Sequence, residues 1–409
     1  MSDGIISDEE QDFSSPSLSP SFEDFDRWQA HIGLKTFGEG LNAAARAVFP
    51  VETRSRYAKV YVLLAFWGEE DVNRPAPIEV SKLFSVFKDL FHFDVQTFKI
   101  PGESSHVALA EKISEFVRLG GDSDDHLKIV YYAGASQVSR NKRLVWTRYV
   151  AWKGVNSKLT CCSGRKNQHS TVEWTDVQAA LEQAQSDALV LLDCPHTITP
   201  TSKRSNGVTE VIAAQAFNAG STTEPYAFTK DLVTELRELS KLPSFSIGNL
   251  YHNIFCRAQS RISEQNGEER APIYIPLAQE DFKFPRSIRL AIQKHNENGH
   301  REPSFEVQHP ELAGVNGLAL TPSFLHSSAV LPGEIPRMAY AIRLKDDFNV
   351  GDLSSDLFLQ WLGNLPASVA EVKIEAGFHS FSSLLIVSVP ICMSIYMPQD
   401  PAVISLGPI

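Results

Sequence analysis

Three strand-length runs dominated by apolar residues limit what this chain can become: Lys59 to Phe66, Leu127 to Tyr132 and Ala188 to Leu192. A strand with one wet face alternates apolar and polar residues. These runs hardly alternate, so each is expected to be buried on both faces, as in a parallel sheet covered by helices. Repeats at helical spacing separate them. One is Val80, Leu83, Phe84, Phe87, Leu90 and Phe91; another is Leu109, Ala110, Ile113, Phe116 and Val117; a third is Trp174, Val177, Leu181 and Ala184. A further strand, Val95 to Ile100, stops at Pro101-Gly102. The resulting order, β-α-β-α-β and then more of the same after an insertion, specifies a doubly wound α/β sheet.

The rest of the chain fits around that sheet. A helix is expected from Trp28 to Val48, closed by Pro50, and two more at Phe228–Leu239 and Ser246–Ala258, the second capped by Ser246. Pro272 to Leu277 reads as the strand that closes the sheet. The main domain then covers residues 26–290, preceded by an acidic, Ser/Pro-rich tail (1–25) too polar to offset the entropy of ordering. Residues 291–336 read as a linker, with short extended pieces at Ile288–Ile292 and Ser304–Gln308 flanking and inside it. A small β-α-β-β module is expected over 337–409, from strand Met338–Leu344, helix Ser355–Leu362 and strands Val369–Glu375 and Leu384–Val389.

Composition excludes several function classes. The net charge of -11 argues against general nucleic-acid binding and against a polybasic membrane tether. No apolar run approaches the roughly 18 residues of a membrane helix, and the amino terminus is the reverse of a signal peptide's basic and apolar layout. A cytoplasmic or nuclear protein is expected. Among five cysteines, Cys161 and Cys162 are adjacent and Cys194, Cys256 and Cys392 solitary, which is neither a disulfide framework nor a zinc spacing. No phosphate-binding glycine loop is present either, so no metal and no cofactor is expected.

Two strand ends carry the functional signal. Ligands of open α/β sheets bind beyond the carboxyl ends of strands, and two of the apolar runs end in Tyr131-Tyr-Ala-Gly-Ala-Ser136 and Leu191-Leu-Asp-Cys194. With these, Ala58 to Trp67, Gly207-Val-Thr-Glu210, Phe228-Thr229 and the ending Phe378 to Pro390, the chain resembles the caspase-like (metacaspase-related) cysteine peptidases of fungi. The resemblance covers residues 22 to 290 and touches the carboxyl-terminal region. It implies a caspase-hemoglobinase-type fold, a mostly parallel α/β sheet flanked by helices, followed by the small α/β module.

The resemblance also shows what is missing. It implies a nucleophile at Cys194, but the position of the family's histidine is Ala135. The next position, whose backbone N–H would help bind an oxyanion, is Ser136 instead of glycine. Pro195 stiffens the turn after the cysteine. An isolated thiol is only a few percent thiolate at neutral pH, and a positioned base is worth about 10²- to 10⁴-fold. The expectation is a catalytically inactive homologue that acts through protein–protein contacts, with active caspase-like proteases or with itself. The rival readings are an active cysteine endopeptidase using an unrecognised base such as His196, and an adaptor working through the carboxyl-terminal module. His126 opens its strand at the far end from the site. Cys194 reads equally as a buried structural thiol, and Asp193 as an acidic pocket wall or a strand-end hydrogen-bonding group. The insertion 136–170 holds eight basic residues, among them Arg140, Arg143 and Arg148, and no acid, with Trp146 and Trp152 interleaved. It reads as a groove for an acidic partner or as a solvated loop that balances the domain's own carboxylates.

Overall fold

The computed structural model describes residues 30–49, 55–67, 76–139, 141, 143–147, 170–194, 207–214, 227–265, 272–278, 286–293, 336–345, 372–378 and 383–409. In chain order the main elements are α1 (Leu34–Val48), β1 (Lys59–Trp67), α2 (Ala76–Ser85), β2 (Asp94–Ile100), α3 (Ser105–Arg118) and β3 (His126–Ala133). Next come three short strands, β4 (Ala135–Val138), β5 (Leu144–Thr147) and β6 (Thr171–Glu173). They are followed by α4 (Trp174–Glu182), β7 (Asp187–Asp193), β8 (Thr209–Ala213), α5 (Ala227–Leu239), β9 (Phe245–Ser246), α6 (Ile247–Gln265), β10 (Ile273–Ala278) and β11 (Arg289–Leu290). The carboxyl-terminal part has β12 (Arg337–Leu344), β13 (Lys373–Phe378), β14 (Ser383–Pro390), a 3-10 segment (Ile391–Tyr396) and β15 (Val403–Pro408).

The main sheet has the order β10-β8-β7-β3-β1-β2, all parallel except β10. Side chains of its strands alternate between two cores. Val62 and Leu64 of β1, Ile129 and Tyr131 of β3, and Leu189 and Leu191 of β7 face one core, beside α1, α2, α5 and α6. Leu63 and Ala65, Val130 and Tyr132, and Val190 and Leu192 face the other, beside α3 and α4. Both faces are covered, which is why the sequence of these strands does not alternate. The fold class is therefore the expected one: a mostly parallel sheet between helices, with a small sheet at the carboxyl end. Among the described residues no helix is long and apolar enough to cross a membrane.

Local chemistry sets several boundaries. Ser246 caps α6 as expected, its Oγ accepting the Asn249 N–H at 3.0 Å and donating to the Val48 carbonyl. Among the described residues the first helix starts at Leu34, because Ile32 before it is held extended, its N–H on the Arg343 carbonyl at 2.9 Å; Trp28 lies outside the described residues. In the carboxyl-terminal part the three expected strands are present as β12, β13 and β14, and one more joins them. Together they form an antiparallel sheet, β13-β14-β12-β15, whose last strand follows the 3-10 segment and was not expected. The helix expected at Ser355–Leu362 lies outside the described residues, as do residues 1–29 and the piece Ser304–Gln308. This sheet shares an apolar core with α1 and α6 through Tyr340, Ile342, Leu385, Val387, Met393 and Tyr396.

Candidate functional site

The chain runs from β1 out to β2 and then back past β1 to β3, so the order reverses between β1 and β3. At that point, beyond the carboxyl ends, an open α/β sheet has its natural crevice. Bordering it are Trp67 at the end of β1, Gly134 and Ala135 after β3, and Asp193 and Cys194 at the end of β7. Strands β3 and β7 are direct neighbours, with Ala133 opposite Asp193. The Gly134 N–H reaches the Asp193 carbonyl at 3.5 Å. The structure thus brings Ala135 and Cys194 to adjacent strand ends.

Aromatic rings fill the space on the Cys194 side of the sheet. The Trp67 Nε1–H donates to the Tyr132 hydroxyl at 3.0 Å, and that hydroxyl donates to the Ala135 carbonyl at 2.8 Å. The ring of Tyr132 stacks on Trp146 at 3.7 Å, and Trp146 stacks on Trp174 at 4.0 Å. Gly134 leaves room for this arrangement; a Cβ there would lie 2.3 Å from the Tyr132 hydroxyl. Cys194 is only 3% exposed and belongs to the same apolar cluster as Tyr132, Trp146 and Trp174. Its thiol is not in a disulfide.

Among the described residues no histidine lies at the carboxyl end of β3 or β7. His126 sits at the amino end of β3 with its Nδ1 3.0 Å from the Gly121 carbonyl. His252 lies on α6, its Nε2 3.7 Å from the Cys256 sulfur, where burial pushes its pKa down to about 4. His106, at the start of α3, has its Nε2 4.0 Å from Asp176. Pro195 and His196 lie outside the described residues. Ser136 is buried in β4 opposite Trp146, in a strand rather than an open turn.

Asp193 faces the other core. Its carboxylate accepts a hydrogen bond from the Thr229 hydroxyl, in the first turn of α5, and Thr229 Oγ1 also lies 2.6 Å from the Tyr131 hydroxyl. Burial pushes the Asp193 carboxyl up to about 6, the bonds from Thr229 pull it down, and the charges of Asp231 and Glu79 push it up again. Cys194 and Asp193 therefore point to opposite sides of the sheet, as neighbours on a strand must. The geometry is that of a strand-end hydrogen-bonding group.

The basic insertion divides into two parts. Its described ends form a three-stranded sheet, β4-β5-β6. There Trp146, expected in a basic loop, is instead fully buried core, because Leu144-Val-Trp146 folds back over the strand ends. Arg143 is half-exposed and pairs with the chain's own acids, Glu173 at 3.2 Å and Asp176 at 3.9 Å. Arg140, Arg148 and Trp152 lie outside the described residues. Sequence reasoning missed Thr229, Trp67 and the Tyr132–Trp146–Trp174 stack. Only the short apolar run Leu144-Val-Trp146 hinted at the last. Among the described residues no group of three His, Cys, Asp or Glu side chains is arranged to hold a metal ion.

No family model matches the chain, and no curated protein matches its sequence. Solved structures to which it is similar are caspases. Dronc, the Drosophila initiator caspase, is 9% identical at a TM-score of 0.38, over 59% of this chain and 85% of that one. Caspase-1 from Spodoptera frugiperda is 11% identical at a TM-score of 0.35, over 59% of this chain and 91% of its own. A further structure, pro-sf-caspase-1, is 13% identical at a TM-score of 0.34, over 58% of this chain and 95% of that one.

Proposed function

We propose that this chain is a caspase-like protein without peptidase activity, which works by binding other proteins. One observation carries the reading: at the strand end where a base would have to face the Cys194 thiol, the chain has Ala135, and the thiol is buried in a cluster of aromatic rings. Thiol attack on a peptide bond needs a group that takes the thiol proton and later protonates the leaving amine. Alanine does neither. The retained strand order and the loss of the base together favour a protein kept for its surface, with other caspase-like proteases or a second copy as the partner class.

The test is peptide-library cleavage by the purified protein beside its Ala135→His and Cys194→Ala variants. The expected result is no cleavage by the natural protein. Restored cleavage by Ala135→His, lost again when Cys194→Ala is added, would identify a disarmed protease. Cleavage by the natural protein that Cys194→Ala abolishes would overturn the reading and point to a base such as His196.

A further inference from the structure

Away from the carboxyl ends of the strands, Glu210 near the amino end of β8 is completely buried. Its carboxylate accepts hydrogen bonds from neutral donors in three separate parts of the chain. They are the Tyr396 hydroxyl of the 3-10 segment at 2.6 Å, the Tyr274 hydroxyl of β10 at 2.7 Å, and the Ile288 N–H and Ser287 hydroxyl just before β11 at 3.1 and 3.3 Å. The two tyrosine hydroxyls also touch each other. β14 runs directly into the segment carrying Tyr396, and that segment packs with Cys392 and Met393 into the core shared by α1 and α6. Glu210 is thus the polar centre of the contact between the main sheet and the carboxyl-terminal sheet.

We propose that Glu210 is a proton-linked latch: its protonated carboxyl holds the 3-10 segment and the carboxyl-terminal sheet on the main sheet, and its ionisation loosens them. A protonated carboxyl donates to one of the two touching hydroxyls, so no polar atom is orphaned and no charge is buried. An ionised one keeps its donors but holds a full charge inside an apolar cluster, which is costly without a cation to pair it. Burial pushes this carboxyl up to about 7, while the bonds from Tyr396, Tyr274, Ile288 and Ser287 pull it down.

Tyr274 and Tyr396 are both raised well above the ordinary tyrosine range by burial and by the charge of Glu210, so they stay protonated as Glu210 titrates. Tyr251 of α6, whose ring is 5.4 Å from that of Tyr274, is raised as well, by burial. Tyr57 feels the Glu210 charge but donates to Asp187 at 2.6 Å, and Asp187 is in turn paired with Arg56 and Arg286. A carboxyl raised on docking binds its proton more tightly when docked. The hold is therefore complete below the ordinary glutamate range and is lost as pH rises through about 7.

Two measurements on the full chain test the latch. Carbon-13 NMR of glutamate-labelled protein separates Glu210 from Asp187 and is expected to show a carboxyl titrating near 7 that Glu210→Gln removes. Amide exchange, corrected for its intrinsic pH dependence, is expected to show protection of residues 391–396 falling by about 10²-fold between pH 5 and 8, and no such fall in Glu210→Gln. A Glu210 midpoint in the ordinary range, or equal pH dependence of protection in the two proteins, overturns the proposal. If Glu210→Gln does not fold, Tyr396→Phe takes its place. Removing that donor should move the Glu210 midpoint upward, and an unmoved midpoint sinks the idea.

Discussion

Asp193 and Cys194 are adjacent residues with opposite surroundings. The alternation of a strand sends the carboxylate toward Thr229 and the thiol toward Tyr132, Trp146 and Trp174. They cannot serve one pocket side by side, which separates this site from one in which an acid lines the wall beside the nucleophile. Asp193 also carries a pH signature. Its carboxyl is raised to about 6, so its contribution to stability is complete below the ordinary aspartate range and is lost as pH rises through about 6. Asp193→Asn should flatten that part of the stability profile and stabilise the protein at pH 8 by about 1–3 kcal/mol. Denaturant melts of both proteins at pH 4 and pH 8 check this, and an unchanged difference between the two pH values would count against it.

At the scale of elements, the β4-β5-β6 sheet closes the strand ends of the main sheet. Trp146 is its anchor, stacked on Tyr132 of β3 on one side and Trp174 at the start of α4 on the other. Removing a fully buried indole typically costs about 3–5 kcal/mol. Trp146→Ala should therefore lower the melting temperature and, by opening the cluster that holds Cys194, speed labelling of that thiol by a small thiol-exchange reagent. A destabilised variant whose Cys194 labels at the natural rate would show that the stack does not seal the thiol. Legibility in the sequence differed sharply between elements. Strands β1, β3 and β7 were plain because burial on both faces selects continuous apolar runs. The hairpin was obscured by the basic residues around it in the sequence; of these, Arg143 pairs with Glu173 and Asp176, while Leu144, Val145 and Trp146 turn inward.

At the scale of the whole molecule, the carboxyl-terminal sheet and the main sheet share one apolar core across α1, α6 and the 3-10 segment. The extended piece at Ile32 adds backbone bonds to Arg343 and Lys345. Residues 337–409 are thus expected to fold with the rest rather than as an attachment. Calorimetry of the full chain should give one cooperative transition, and truncation before Arg337 should expose the apolar faces of α1 and α6 that share a core with Val389 and Met393 and cost solubility. Two separate transitions, or a soluble truncated protein with an unchanged melting temperature, would show two independent units. An adaptor role for this region is better probed by surface substitutions than by deletion.

By itself the sequence determined the α/β class, the chain order of β1, β2, β3, β7 and β10 though not β8 between the last two, the cap at Ser246 and the positions of Ala135 and Cys194 at strand ends. These follow from burial on both faces of a sheet and from local turn and cap chemistry, which act within a few residues. Only the tertiary structure decided the rest: that Cys194 is buried in one cluster with rings from β3, β5 and α4, that Asp193 turns to Thr229, and that Glu210 gathers donors from as far as Tyr396. Each of those depends on residues far apart in the chain meeting in space, and no local pattern of apolar and polar residues encodes which of them will meet.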